Sequence, residues 1–141
     1  MTIQFNVPGQ PVGKGRPRIG NVGQHARMFT PGKTVSYEST VALAASQAMQ
    51  GRELIDGPVR VLMRMTLIIP ASWSRKKQEQ ALAGQIRPTT KPDADNVIKA
   101  IFDAINGVVW RDDVQVVELG VSKVYGAVPG VAVHVSPLEV A

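Results

Sequence analysis

Lys91-Pro92-Asp93-Ala94-Asp95-Asn96-Val97-Ile98-Lys99-Ala100-Ile101-Phe102-Asp103-Ala104-Ile105 decides how this chain is organised. Val97, Ile98, Ile101, Phe102 and Ile105 recur at helical spacing and form a single apolar stripe. Pro92-Asp93 is a start signal and Asn106-Gly107 a stop. The spacing predicts a helix from about 94 to 105 with one face to bury. Such a face needs a sheet or another helix to cover it.

Strand patterns lie on both sides of this segment. Ile3, Phe5 and Val7 alternate with Gln4 and Asn6, and Pro8-Gly9 ends that strand. Residues 58–69 hold the clearest alternation. Val59, Val61, Met63, Met65, Leu67 and Ile69 share one face, with Arg60, Leu62, Arg64, Thr66 and Ile68 on the other, and Pro70 stops the run. Downstream, strands are expected near 114–125 and 131–136. Val117, Leu119 and Val121 share a face in the first, and Val131, Val133 and Val135 in the second. The turn from Tyr125 to Gly130 predicts that these two strands form a hairpin. An Ala-rich helix is expected from about Ser36 to Gln50, with Val41, Ala44, Ala45, Ala48 and Met49 in phase and Gly51 as its stop. A short basic helix capped by Ser74 carries Arg75, Lys76 and Lys77. The order β-α-β-α-α-β-β reads as one α+β domain over 1–141, an α/β sandwich with helices packed on a mixed sheet. Within it, residues 9–33 are rich in Gly, Pro and cations and read as a long flexible basic loop.

Charge is unevenly placed. Residues 1–91 contain 13 Lys/Arg and 4 Asp/Glu, whereas residues 92–141 contain 3 and 7. The net charge is +5. A basic body raises the local concentration of anions, which favours an acidic partner such as nucleic acid. An acidic focus inside that body suits a held divalent cation. The chain has no cysteine, which excludes disulfides, zinc–thiolate sites and thiol nucleophiles. No signal peptide and no membrane-spanning run is visible, so the expectation is a cytoplasmic protein with no membrane partner. Gly9-Gln10-Pro11-Val12-Gly13-Lys14-Gly15 misses the phosphate-loop spacing and lacks its Ser/Thr, and no organic cofactor is expected.

The acidic residues admit two readings. Asp93 at an N-cap and Asp95 in the first turn satisfy free N–H groups and favour the helix dipole. In the second reading Asp93, Asp95 and Asp113 converge, with Asp112 as a possible addition. Two carboxylates about 4 Å apart repel by roughly 4 kcal/mol at an effective dielectric of 20, so they share a proton or bind a cation. Oxygen-only ligands suit Mg²⁺, with Mn²⁺ as a substitute, over zinc. Asp95 and Lys99 share a helix face, and Lys99 could steady charge on a phosphate. Lys14, Arg16 and Arg18 in the basic loop, with Arg75, Lys76 and Lys77, are the candidate phosphate contacts. Trp110 reads as core, His25 and His134 as surface, and Ser122 and Ser136 have no base to activate them.

Several blocks together carry a resemblance: Lys91-Pro92-Asp93-Ala94-Asp95-Asn96, Lys99-Ala100, Asp103-Ala104, Asn106-Gly107 and Trp110-Arg111-Asp112-Asp113-Val114-Gln115-Val116. Val7-Pro8-Gly9, Gly13-Lys14-Gly15-Arg16-Pro17-Arg18, Phe29-Thr30-Pro31 and Ser72-Trp73-Ser74 add to it. The chain resembles the RusA family of phage-type and prophage-encoded Holliday-junction resolvases over nearly its whole length. The resemblance implies a homodimeric, Mg²⁺-dependent endodeoxyribonuclease of the bacterial or phage-infected cell. It would act in DNA recombination and repair by symmetric paired nicks in four-way junction DNA. By position, Asp93, Asp95 and Asp113 match the family's metal-binding carboxylates and Lys99 its functional lysine. The alternatives are a catalytically silent DNA-binding protein and a metal-dependent nuclease acting on other branched DNA or on RNA.

Overall fold

A computed structural model describes residues 1–15, 18–22, 25–29 and 32–138, with the backbone alone described for 18–22 and 25–29. The strands are β1 (Ile3–Pro8), β2 (Arg18–Val22), β3 (His25–Phe29), β4 (Val59–Ile68), β5 (Val116–Gly126) and β6 (Gly130–Pro137). The helices are α1 (Gly32–Met49), α2 (Arg75–Leu82) and α3 (Ala94–Ile105). A 3₁₀ turn over Asp113–Gln115 leads into β5. The fold is α+β in a single domain, with one mixed four-stranded sheet in the order β1-β6-β4-β5. No helix among the described residues is long and apolar enough to cross a membrane.

The alternating patterns become buried faces. Ile3, Phe5 and Val7 of β1, Val59 to Leu67 at every second position of β4, and Val131, Val133 and Val135 of β6 are buried on one side of the sheet. Against them pack Tyr37, Val41, Ala45 and Met49 of α1 and Val97, Ala100, Ile101 and Ile105 of α3. Trp110, fully buried, closes the core below α3, with its ring edge-on to Phe102 at 5.3 Å between centroids.

The expected hairpin between the last two strands does not form. β5 pairs in parallel with β4, from Val59↔Val116 to Ile68↔Gly126, whereas β6 pairs antiparallel with the other edge of β4. β6 also pairs with β1. Both edges of β6 are taken, one by β4 and the other by β1, so none is left for β5. Insertion of β4 between β5 and β6 supplies hydrogen bonds along both edges of the most apolar strand. As a consequence β5, like β1, is an edge strand of the sheet. Leu119 and Val121 lie in register with buried Val61 and Met63 yet remain 45% and 36% exposed.

The basic loop also departs from expectation. Within 9–33 the backbone pairs as a two-stranded antiparallel ribbon, Arg18↔Phe29 to Val22↔His25, in place of an unstructured tether. Its segments are five residues each and lack alternation, so periodicity gives no strand signal there. α1 begins at Gly32, upstream of the apolar spacing at Val41, because Thr34 and Tyr37 also face the core.

Tyr37 carries one unusual feature. Its buried hydroxyl has no hydrogen-bond partner among the described residues. Burial pushes its pKa up to about 12, and the nearby Val12 backbone opposes the shift without meeting hydrogen-bond geometry. A phenol raised in the folded state contributes stability below pH ~10, and that contribution is lost as the pH rises towards 12. Tyr37→Phe should therefore be neutral or stabilising by about 1 kcal/mol at pH 8. It should also flatten the fall in stability above pH ~10. Urea unfolding at pH 8 and at several alkaline pH values checks both, and a destabilised variant at pH 8 would show the hydroxyl to be satisfied.

Candidate functional site

A parallel strand pair needs a crossover, and residues between β4 and β5 supply it through α2 and α3. α3 therefore runs back along the sheet. Its N-terminus stands at the carboxyl ends of β4 and β5, where open α/β sheets commonly place ligands. Its C-terminus feeds the start of β5.

At the first end, Asp93 occupies the N-cap with extended backbone (φ −66°, ψ 138°), but its side chain makes no capping bond. The capping reading thus fits the position and leaves the carboxylate unaccounted for. Asp95 is exposed in the first turn. Lys99, one turn on, places Nζ 4.0 Å from Asp103 Oδ2, and its side chain is 65% exposed. The chain entering this end is fixed from two sides. Lys123 Nζ donates to the carbonyls of Thr90 (2.8 Å) and Pro92 (2.9 Å). Opposite, Lys14 N–H donates to the Asn96 carbonyl at 2.8 Å. A Cβ on Gly13 would stand 3.0 Å from Asn96 Cβ and 3.5 Å from Pro92 Cβ, so a side chain there would push the two segments apart.

At the second end, Asp113 Oδ2 accepts from Asn106 Nδ2 at 3.3 Å, and Asn106 Oδ1 accepts from the buried Trp110 Nε1 at 2.6 Å. Gln115 clamps the turn. Its Oε1 accepts from the N–H groups of Arg111 (3.0 Å) and Asp112 (3.2 Å), and its Nε2 donates to the carbonyls of Ile55 (3.0 Å) and Gly57 (2.9 Å). Periodicity and charge do not mark Asn106 and Gln115 as holders of the acidic turn. The sequence marks Asn106 only as a helix stop and Gln115 only as part of the block Trp110-Arg111-Asp112-Asp113-Val114-Gln115-Val116.

One chain does not bring the three carboxylates together. α3 has 12 residues, and at about 1.5 Å per residue it holds its two ends roughly 18 Å apart. Asp93 and Asp95 share one end, and Asp113 sits at the other. Among the described residues no three His, Cys, Asp or Glu side chains group closely enough to hold a metal ion. Asp93 and Asp95 fit a hard cation in donor chemistry, being oxygen ligands with no capping bond from Asp93 and an open first turn around Asp95. Asp113 of the same chain does not reach them.

Residues 8–136 match the family described as Endodeoxyribonuclease RusA. The chain belongs to the RusA family. It is also similar to "Uncharacterized protein YqaN" of Bacillus subtilis (strain 168), at 42% identity in an alignment of 135 residues that covers 94% of each chain. The RusA match spans both ends of α3, the basic ribbon and α2.

The cations of this RusA-family chain fall into two groups. Arg75, Lys76 and Lys77 are exposed on α2, whose N-cap Ser74 Oγ accepts from Lys77 N–H at 3.2 Å. Lys77 Nζ lies 4.0 Å above the Trp73 ring, which meets Tyr125 edge-on at 5.2 Å. Arg75 pairs with Glu79 at 3.6 Å, but both side chains are well exposed and such pairs hold little energy. Lys14 differs from the free cation that the sequence suggests. Its Nζ is 2.5 Å from Glu38 Oε1 and 3.2 Å from Asp103 Oδ2. Arg16 and the side chain of Arg18 lie outside the described residues.

Asn106 links the core to the acidic turn, so Asn106→Ala should cost about 1–3 kcal/mol by leaving Trp110 Nε1 buried without an acceptor. Chemical denaturation measures this. An unchanged midpoint would mean that Trp110 finds another acceptor.

Proposed function

We propose that this RusA-family chain is a Mg²⁺-dependent endodeoxyribonuclease that resolves four-way DNA junctions by paired symmetric nicks, acting as a homodimer. Its setting would be recombination and repair in the cytoplasm of a bacterial or phage-infected cell. The observation that carries the reading is the pair Asp93 and Asp95, uncapped at the head of α3 beside exposed Lys99, in a chain matched to an endodeoxyribonuclease family over residues 8–136.

The roles follow from the chemistry. Asp93 and Asp95 would hold the divalent cation, which when bound polarises a phosphodiester and lowers the pKa of an attacking water. Lys99, on the same helix face as Asp95, would steady charge that develops on the phosphate oxygens. Arg75, Lys76 and Lys77, with Arg16 and Arg18, would draw in and hold the phosphate backbone without reading bases. Asp113, an α3 length away, can join the Asp93–Asp95 pair only from a second copy. Symmetric resolution makes the same demand, because two nicks on opposed strands match two equivalent sites related by a two-fold axis.

Asp93→Asn, Asp95→Asn and Asp113→Asn should each abolish Mg²⁺-dependent nicking of a labelled four-way junction and leave binding intact or tighter, because phosphate repulsion falls. Mixing the individually inactive Asp95→Asn and Asp113→Asn chains should restore single nicks, since one of the two shared sites is then intact. A mixture that stays inactive would place the whole site within one chain or remove Asp113 from it. Binding is checked on α2. Replacing Arg75, Lys76 or Lys77 by Ala removes one neutralised phosphate each time, and should lower the slope of log affinity against log salt by about 0.9 per substitution. An unchanged slope would assign α2 to solvent.

A further inference from the structure

Two ammonium groups converge on one carboxylate oxygen. Asp103 Oδ2 lies 3.2 Å from Lys14 Nζ and 4.0 Å from Lys99 Nζ. Lys14 is the nearer and the better shielded, with its side chain 19% exposed against 65% for Lys99. Coulomb attraction grows as distance and screening fall, so Lys14 is the main counter-charge of Asp103. Its backbone is fixed as firmly as its head. Lys14 N–H donates to Asn96 on α3, Gly15 N–H donates to the buried Thr34 Oγ1 on α1 at 3.0 Å, and Glu38 on α1 holds Nζ from the other side. The hydrogen bond to Glu38 raises the Lys14 pKa, against the opposing effect of burial, so the ammonium stays charged at neutral pH.

We propose that Lys14 is a positioning residue for Lys99: by neutralising Asp103 it keeps the Lys99 ammonium free to meet a phosphate. Lys99 and Asp103 are four apart on α3, a spacing that pairs them side by side whenever nothing else claims the carboxylate. With Lys14 in place, Lys99 stays at the outer limit of an ion pair and remains mostly in solvent. Without Lys14, Lys99 is the cation left beside Asp103 among the described residues. The carboxylate then draws it down along the helix, away from the Asp93–Asp95 end. Gly13 serves the same purpose by letting this segment lie close against the head of α3. The inference rests on the reading of Lys99 as the phosphate-facing group. It also separates Lys14 from the cations that hold DNA.

The test uses the full-length chain and a labelled four-way junction with Mg²⁺, under single-turnover conditions. Lys14→Met should lower the cleavage rate by roughly ten- to a hundredfold. Junction Kd and its salt slope should stay as in the wild type. Lys14→Met/Asp103→Asn should recover most of the missing rate, because the carboxylate that captures Lys99 is gone. A purely structural clamp would show no such recovery, and a double variant no faster than Lys14→Met overturns the proposal. So does a Lys14→Met chain whose affinity drops with a salt slope reduced by about 0.9, which would make Lys14 a phosphate contact. If Lys14→Met alone fails to fold, Asp103→Asn is compared with Lys14→Met/Asp103→Asn. Equal rates are expected, and a further tenfold loss overturns the proposal. A wild-type chain that leaves the junction intact, or a Lys99→Met chain that cuts at the wild-type rate, would remove the functional reading and this proposal with it. Loss of cutting in Lys99→Met without recovery in the double variant removes this proposal alone.

Discussion

Burial of the α3 stripe against the sheet is the constraint on which the rest of the molecule depends. Val97, Ile101 and Ile105 are fully buried, and each contributes about 1.5–3 kcal/mol as an upper estimate. That burial fixes the rotation of the helix about its axis. Asp95 and Lys99 consequently face away from the core, and no rearrangement short of unpacking α3 could turn them inward. The same packing sets both helix ends. One stands at the carboxyl ends of the parallel strands and the other beside Trp110.

The two ends are held by different chemistry. At the head of α3 the supports are backbone contacts from distant parts of the chain, namely the Lys14 amide and the Lys123 ammonium. They grip the entering segment, and among the described residues neither the Asp93 nor the Asp95 carboxylate has a hydrogen bond or ion pair. At the tail, side-chain amides do the holding: Asn106 and Gln115 satisfy the Trp110 indole, the Asp113 carboxylate and four backbone groups. An uncapped Asp at the head and a hydrogen-bonded Asp at the tail are chemically unlike. Asp93 makes no capping bond, whereas Asn106 fixes the orientation of Asp113.

Lys14 shows how charge counting along a sequence can mislead. As one of several cations in a Gly- and Pro-rich stretch it reads as a free phosphate contact. In the fold it meets Glu38 from α1 and Asp103 from α3, both far from it along the chain, and its charge is internally compensated. The exposed cations of α2 are not compensated in this way. Among the described residues only Glu79 pairs with one of them, and that pair is open to water.

Local sequence alone determined the core faces of β1, β4 and β6, the apolar stripe of α3, the Ser74 cap and the placing of acidic and basic residues along the chain. These are local properties, set by side-chain spacing and by which backbone groups a helix start leaves open. Tertiary structure alone decided that β4 separates β5 from β6, that residues 18–22 pair with 25–29 as a ribbon, and that Lys14 belongs to an ion-pair cluster. Strand order depends on which edges most need hydrogen bonds, and ion pairing on which charges meet in space, and neither is written in the spacing of neighbours. The separation of Asp93 from Asp113 needed both: the 12-residue helix was legible in the spacing, but the Asn106 bond that keeps Asp113 at the far end of α3 was not.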